Sequence, residues 1–443
     1  MNKTCAISSW ISFLLDITHK EVAQRRITDR QLNVEHNQSA LRLLLPSFCF
    51  SSLFCYVRAI HKPITETAID PRFRNRERQP GLDLLRALAI IVVVVYHAAL
   101  FGFKLPGRVD RFGWIGVDLF FVLSGYLIGG QLLAPLARDR RINLGRFFSR
   151  RALRIMPAYF AVLAIYFLLP PWREYPEMSQ PLWKFLLSVQ NIALHGGTAF
   201  SHAWSLAVED QFYLALPFIL LFLCRRPRAA IIVPCLIILG GIALRTFLAA
   251  QNPSVNGEGV SFRAFQAWIY YPTWTRLDPL VLGVVLAAVE KFRPSWWQRI
   301  TNCAPLLWLP ALGVIAYALY LGETDNLTVT ACVWQFPLIA VGMAALLVCA
   351  VSPRLPLRRV AIPGAAFIAS IAYSAYLIQK LVINGVGEFC TTHNIDLESA
   401  PALLGVELCV YAAATLLFFS VERPFLQLRR RIAPRNSPTA GRV

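Results

Sequence analysis

Long apolar stretches separated by short polar ones recur along the chain from residue 82 to residue 422. An α-helix needs about 20 apolar residues to cross the roughly 30 Å hydrocarbon core of a bilayer, and these stretches are of that length. The pattern predicts ten spans, each boundary uncertain by a few residues, at roughly 82–103, 112–134, 153–170, 205–223, 229–249, 272–290, 304–320, 331–352, 365–388 and 402–422. We therefore expect an all-α polytopic integral membrane protein.

Composition supports lipid as the main solvent, with 56% hydrophobic residues and a mean hydropathy of +0.51. The formal net charge of +19 would suit nucleic acid, but the Lys and Arg residues are gathered in short blocks between apolar runs. If the first loop lies outside, about twenty Lys and Arg fall in the even-numbered loops and the C-terminal tail, against about six in the odd-numbered loops. This alternation predicts cytoplasmic termini and a lipid bilayer, not nucleic acid, as partner.

The segments outside the spans complete the predicted organisation. Residues 1–78 are expected to be a loosely ordered N-terminal extension, residues 79–426 the membrane domain and residues 427–443 a basic C-terminal tail. Residues 182–196 are apolar but too short to span, so we expect an interfacial helix there. The ten cysteines form no Cys-x-x-Cys pair and no cluster with histidines at metal-ligand spacing, which predicts no disulfide and no metal site.

The first span carries polar groups inside an apolar run. Arg86 and His97 lie eleven residues apart in GLDLLRALAIIVVVVYHAALFGF. Eleven residues make about three helical turns, so both side chains share one face roughly 16 Å apart along the axis, and Asp83 lies on the same stripe. Charged groups inside a bilayer are costly and usually face the bundle interior. The first span is therefore predicted to be a functional helix.

Three further spans carry ionisable groups, namely Asp118, Glu209, Asp210, Arg276 and Asp278. With the topology above, these groups lie at nearly the depth of His97, in the outer third of the membrane. Their convergence predicts either a water-filled cavity or a mutually paired cluster.

Each group also has a structural interpretation. His97 could form a hydrogen bond between helices, and Glu209 could pair with Arg276. Asp118 is better suited to orienting a neighbour than to reacting, and the basic run 138–154 is, taken alone, a topology signal. The functional interpretation rests on convergence at one depth beside a histidine that could act as a base near neutral pH.

Several short motifs occur in a fixed order along the chain. They are residues 82–87 followed by His97, residues 116–126 (GVDLFFVLSGY), residues 150–159 (RRALRIMPAY), residues 204–213 (WSLAVEDQFY) and the closing residues 421–425 (VERPF). Together they resemble the motifs of the membrane acyltransferase-3 family of bacterial O-acyltransferases. The resemblance covers about residues 80–426. Ordered motifs at fitting spacings are more specific than any one of them.

Two departures from the family pattern stand out. Many members have Tyr-Leu-x-His in the ninth span, where this chain has Tyr376, Leu377, Ile378 and Gln379, followed by Lys380. The contribution of that second histidine is then absent or supplied by Gln379. Some members add an SGNH-type domain after the last span, whereas this chain ends about twenty residues after Glu422, and we expect a stand-alone transferase.

The resemblance implies acyl transfer from cytoplasmic acyl-CoA, most often acetyl-CoA, to an extracytoplasmic or membrane-linked hydroxyl, in a bacterial inner membrane and with no permanently bound cofactor. Arg86, Arg151 and Arg154 are expected to hold the CoA phosphates, since the planar guanidinium suits phosphate. His97 is the expected general base, with Glu209 or Asp118 orienting it, although a covalent acyl-His intermediate is an alternative. The expected supporting residues are Asp83, Ser124, Tyr126, Trp204, Ser205, Tyr213, Arg276, Asp278, Gln379 and Glu422.

The acceptor is less well defined. Outer loops 171–204 and 251–271 are rich in aromatic residues, which favours a sugar hydroxyl of a surface glycan, although such residues also collect at membrane interfaces for amphipathic reasons alone. A small lipophilic acceptor is an alternative. A transporter or flippase and a non-catalytic scaffold are the competing functions, disfavoured by the lack of an internal repeat and by the many intramembrane charges, respectively.

Overall fold

A computed structural model describes residues 79–103, 106–138, 141–175, 180–226, 228–254, 259–322 and 327–432. The predicted extension at 1–78 and most of the predicted basic tail lie outside the described residues. The part of the tail that is described, residues 427–432, belongs to a helix, Arg423–Ile432.

Within these described ranges, ten α-helices, numbered α1 to α10, form the membrane bundle. They are α1 (Pro80–Leu100), α2 (Gly116–Leu136), α3 (Leu144–Leu168), α4 (Trp204–Cys224), α5 (Ala229–Gln251), α6 (Asp278–Phe292), α7 (Ala304–Gly322), α8 (Val329–Val351), α9 (Ala365–Thr392) and α10 (Ala400–Leu417). After α10 a π-helical turn at Phe418–Glu422 leads into the helix Arg423–Ile432. No β-strand is formed by the residues that the structure describes, so the predicted all-α fold is confirmed.

Nine helical segments among the described residues are long and apolar enough to cross a membrane. The exception among the predicted spans is 272–290, where α6 has 15 residues and extends only about 22 Å at 1.5 Å per residue. Proline is the physical reason, because it lacks a backbone N–H and fits the first turn of a helix. Pro279 stands in the first turn of α6, and the preceding residues Thr273–Thr275 form a separate 3₁₀ turn.

Successive bundle helices run in opposite directions, which gives the bundle two ends. We call them the Pro80 end and the Leu100 end, after the first and last residues of α1. Gly81 packs against the backbone of Ala350 in the last turn of α8, and Gly102 lies against Leu397 just before α10. The arginines of the first and third spans and His97 can therefore be placed relative to these two ends.

The interior of the bundle is built around α2, α6 and α8. Of the apolar window of α8, 72% is buried, against 11% for α5, so α8 is central and α5 faces outward. Where α2 meets α6, Gly125 lies against the backbone of Leu280 and Gly283 against that of Val122. Small residues at such a crossing let two helix backbones approach closely, which is the usual way that membrane helices pack.

The segment predicted as an interfacial helix, 182–196, is helical only over Leu182–Leu186. Ser188 and Ala193 adopt positive φ angles of 52° and 53°, which a helix of L-residues does not tolerate. The chain instead turns back toward α4, where the Ser188 hydroxyl donates a hydrogen bond to Asp210 at 3.1 Å. The prediction that this segment does not span the membrane stands, but its predicted helix was too long.

Candidate functional site

A cavity of about 190 Å³ lies among α1, α2, α3, α4 and α9. Its polar lining comprises Arg86, Ser124, Gln131, Arg151, Arg154, Ser205, Glu209, Asp210, Tyr213, Tyr373 and Tyr376. Ser205 stands in the first turn of α4, at the Leu100 end, whereas Arg151 and Arg154 lie in the half of α3 nearer the Pro80 end. The cavity therefore runs lengthwise through the bundle.

Three arginines predicted from the sequence meet in this cavity, and we call Arg86, Arg151 and Arg154 the cavity arginines. Arg86 lies 3.6 Å from the carboxylate of Asp83, one turn earlier on α1. The guanidinium of Arg151 lies 4.8 Å from the ring centre of Tyr213, within the range of a cation–π contact. Three cations beside one cavity form a region suited to a ligand with several negative charges.

The Glu209 carboxylate is fixed in the cavity by two side-chain hydrogen bonds. Its two oxygens accept hydrogen bonds from the Ser124 hydroxyl at 2.8 Å and from the Tyr213 hydroxyl at 2.6 Å. Closer to the Leu100 end, the hydroxyls of Ser205 and Tyr376 are hydrogen-bonded to each other at 2.7 Å. Four of these residues, all except Tyr376, were predicted from the sequence, and the structure brings them together.

His97 lies in the last turn of α1 and is not one of the residues that line the cavity. Its ring is 9% exposed and lies beside those of Tyr96 and His202, at centroid separations of 5.4 and 6.0 Å. Gln379 also lies next to the His97 ring. His97 and the cavity are linked through His202, whose backbone oxygen accepts a hydrogen bond from the Tyr376 hydroxyl at 2.6 Å.

Neither carboxylate predicted to orient His97 forms a hydrogen bond to it. Glu209 is bound by Ser124 and Tyr213, and Asp118 accepts two hydrogen bonds from Arg276, at 2.8 and 3.0 Å. The alternative in which Glu209 pairs with Arg276 is therefore wrong, because Asp118 takes that place.

Two ion pairs, Asp118–Arg276 and Arg245–Asp278, are enclosed in the bundle, and we call them the paired charges. All four side chains are at most 2% exposed, with closest N···O distances of 2.8 and 2.6 Å. The Arg276 guanidinium also lies 4.0 Å from the ring centre of Phe336. Enclosed ion pairs of this kind connect the helices that carry them. The ionisable groups that were expected to form one cluster at this depth therefore lie in two regions, the cavity and the paired charges.

Two buried residues near His97 escaped the sequence prediction. His202 immediately precedes the motif around Trp204, and its Nε2 lies 3.1 Å from the backbone oxygen of Leu377. Lys380 donates a hydrogen bond from Nζ to the Ser201 hydroxyl at 2.8 Å, and its Nζ lies 4.0 Å from the Glu174 carboxylate. The available signals were a histidine at the edge of an apolar run for His202 and a lysine inside one for Lys380.

Some predicted supporting residues lie away from the cavity. Tyr126 stacks on Trp297 at a centroid separation of 6.2 Å, and Glu422 accepts a hydrogen bond from the Ser374 hydroxyl at 2.8 Å. Trp204 lies 5.3 Å below the guanidinium of Arg276 and so belongs with the paired charges. Within the described ranges, no group of three or more His, Cys, Asp or Glu residues could hold a metal ion.

Comparisons with known proteins bear on the same residues. A family model described as an acyltransferase domain matches residues 79–421. The chain is 31% identical over 224 residues to O-acetyltransferase OatA of Staphylococcus aureus strain NCTC 8325, which covers 47% of this chain and 34% of the relative. It is 30% identical over 236 residues to peptidoglycan O-acetyltransferase OatA of Listeria monocytogenes, which covers 49% and 35%.

The matched part of the chain spans about a third of the length of these curated relatives, 34% and 35%. No solved structure matches the chain. The motifs at 82–97, 116–126, 150–159 and 204–213 all fall within the matched region. The family resemblance inferred from those motifs is confirmed.

Proposed function

Because the chain belongs to the membrane acyltransferase-3 family, we propose that it is a membrane O-acyltransferase. In this proposal it moves an acyl group, most simply acetyl, from acyl-CoA to a hydroxyl of an extracytoplasmic or membrane-linked glycan. Relatives named as O-acetyltransferases support the reaction class. The observation that carries the proposal is the cavity that begins at three arginines and ends at the hydroxyls of Ser205 and Tyr376, one residue away from the His97–His202 pair.

The cavity arginines suit the donor. Phosphate accepts two parallel hydrogen bonds from a planar guanidinium, and such charge-assisted bonds are about twice as strong as neutral ones. The cavity of about 190 Å³ is smaller than the roughly 300–1,000 Å³ typical of sites for drug-sized ligands. We therefore expect the nucleotide part of CoA to stay at the Pro80 end, with only the thioester arm entering the bundle.

The distribution of basic loops supports a cytoplasmic Pro80 end, on the side where acyl-CoA is found. We propose the bacterial inner membrane as the location. His97 then lies near the outer surface, roughly 16 Å along α1 from Arg86. Donor and acceptor would approach from opposite sides of the bilayer. A transferase whose two substrates approach from opposite sides would need a cavity that runs along the bundle between them.

In the proposed chemistry His97 acts as general base. An imidazole nitrogen takes the proton of the acceptor hydroxyl while the hydroxyl oxygen attacks the thioester carbonyl carbon. The tetrahedral intermediate collapses as the carbon–sulfur bond breaks, and the CoA thiolate takes the proton back from the imidazolium. A positioned base of this kind contributes a factor of about 10²–10⁴ to the rate.

The acceptor is proposed to be a sugar hydroxyl of a surface polysaccharide, lipid-linked glycan or peptidoglycan. The Listeria relative is named for peptidoglycan. Aromatic side chains at the Leu100 end are exposed, with Trp172 at 64%, Trp183 at 54% and Trp268 at 45%. Aromatic rings present an apolar face together with a polar edge, which suits contact with sugar rings as well as with the membrane interface.

A genetic comparison tests this function. The O-acyl content of the envelope glycans would be measured in a deletion strain, in the strain complemented with the wild-type chain, and in one complemented with His97→Ala. We expect the acyl groups to be lost in the deletion strain, restored by the wild type and not restored by His97→Ala at equal membrane abundance. Unchanged glycans, with a small metabolite losing its acyl group instead, would replace the glycan acceptor with a lipophilic one.

A further inference from the structure

His202 lies beside His97 but has no role in the reaction proposed above. It is 2% exposed and stands in a 3₁₀ turn, Ser201–Ala203, directly before α4. Its ring meets that of His97 edge to face, with centroids 6.0 Å apart and planes inclined by 61°. Two histidines are thus enclosed side by side at the end of the route from the cavity.

The hydrogen bonds of His202 define its tautomer. Nε2 lies 3.1 Å from the backbone oxygen of Leu377. A carbonyl oxygen only accepts, so Nε2 carries the proton and donates it, which leaves Nδ1 as an acceptor in the neutral ring. This Nδ1 is buried and has no hydrogen-bond partner among the described residues.

His97 presents a matching atom. Its Nδ1 is likewise buried. The Val93 backbone and the Gln379 side chain lie beside the ring, but among the described residues neither Nδ1 of His97 nor Oε1 of Gln379 makes a hydrogen bond of good geometry. Buried polar atoms in native proteins are almost always hydrogen-bonded, and each exception calls for a specific explanation. Three such atoms around two facing rings supply about the number of hydrogen bonds that one enclosed water makes.

The two Nδ1 atoms are not hydrogen-bonded to each other. One water making two hydrogen bonds of about 2.8 Å joins atoms up to about 5.6 Å apart, and two rings with centroids 6.0 Å apart can bring a nitrogen of each within that range. The water would accept from Nδ1–H of His97 and donate to Nδ1 of His202.

We propose that His202 is the positioning residue of His97, acting through one bridging water. The inference rests on the proposed transferase function and supplies the orienting group that neither Glu209 nor Asp118 provides. With Nδ1–H of His97 held in this way, its Nε2 is unprotonated and free to take the acceptor proton, as the logic of an oriented base requires. The imidazolium that forms keeps its Nδ1–H donated to the water until Nε2 returns the proton to the CoA thiolate.

The test uses His202→Gln, because a glutamine amide can keep a donor for the Leu377 oxygen and much of the ring's volume while lacking the imidazole acceptor. The matched control is His393→Gln, an exposed histidine at the end of α9 whose Nδ1 lies 2.9 Å from the backbone oxygen of Phe389. Purified full-length variants in proteoliposomes would be assayed for acetyl transfer from acetyl-CoA, and kcat and KM measured separately. His97→Ala and the His97→Ala/His202→Gln double variant complete a mutant cycle.

We expect His202→Gln to lower kcat roughly 10–100-fold with the KM for acetyl-CoA unchanged, and to add nothing in the His97→Ala background, since residues that act as one unit are not additive. His393→Gln should match the wild type. Near-normal kcat in His202→Gln, a rise in KM alone, or a further multiplicative loss in the double variant would each overturn the inference. An inactive wild type would instead refute the transferase function on which the inference rests, and both proposals would be withdrawn.

Discussion

Charged side chains inside the bundle have different surroundings in two regions, the paired charges and the cavity arginines. The paired charges are closed off, and the Asp118 and Arg276 side chains are 0% exposed and joined at 2.8 Å. The cavity arginines instead face an open volume, and Arg86 makes a longer, 3.6 Å contact to Asp83 while its side chain stays 29% exposed. Both regions read alike in the sequence, as arginines and carboxylates in apolar runs.

The contrast separates two roles for intramembrane charge. An enclosed ion pair already has its counter-charge and can contribute to the specificity of helix packing, at a desolvation cost that its own attraction offsets in part. Cations beside a cavity can instead pair with an anionic ligand that enters the cavity. Exposure to a cavity, and not charge alone, therefore separates the cavity arginines from the paired charges.

The largest effect is expected from breaking a closed pair. Asp118→Ala leaves the Arg276 guanidinium buried without its carboxylate, and such changes cost about 3–5 kcal/mol of folding free energy. We expect little protein in the membrane and a much lower unfolding midpoint in detergent. The double change Asp118→Leu/Arg276→Met should recover most of the stability, and a stable but inactive Asp118→Ala would show that this pair belongs to the functional region after all.

A smaller effect on stability and a larger one on ligand binding are expected at the cavity arginines. Arg151→Ala or Arg154→Ala removes charge-assisted hydrogen bonds of about 1.5–3 kcal/mol, which corresponds to roughly 10–100-fold weaker binding of acyl-CoA. Lys at either position should rescue only part of this, because it lacks the planar fork. Calorimetric titration with CoA measures the affinity, and an unchanged value in the Arg151/Arg154 double variant would return both residues to a role in topology.

The smallest effect concerns packing between the two regions, at the crossing of α2 and α6. A methyl group at Gly125 would meet the backbone of Leu280, so Gly125→Ala should cost about 1–3 kcal/mol through overpacking. Gly130 in the same helix has nothing within 4 Å of the added atom, and Gly130→Ala should be neutral or stabilising by up to about 1 kcal/mol. Equal unfolding midpoints for the two variants would contradict the close crossing.

Local sequence predicted most of the fold because the information for a span is local. Length and apolarity located nine of the helices. They do not register the start that Pro279 gives to the shorter α6. The partners of the charges were not predictable in this way. Asp118 and Arg276 are 158 residues apart, so their pairing depends on how helices pack, which no local pattern contains.

The candidate site shows the same division. The motifs identified the cavity arginines, Glu209 and Ser205 as candidates, but their meeting in one cavity depends on how the helices pack. His202 and Lys380 were not predicted because their neighbourhood joins the start of α4 to the middle of α9, and Lys380 lies 179 residues from its partner Ser201. The position of His97 beside His202, off the cavity wall, likewise depends on helix packing that no local pattern contains.

The most direct test of the central claim is CoA release from acetyl-CoA by purified wild-type protein in proteoliposomes, with and without a glycan acceptor, beside His97→Ala. The account predicts acceptor-dependent release by the wild type and a loss of about 10²–10⁴-fold in His97→Ala with an unchanged unfolding midpoint. Acceptor-dependent release by His97→Ala at a near-normal rate would contradict the role of His97. No acceptor-dependent release by the wild type would contradict the transferase assignment itself.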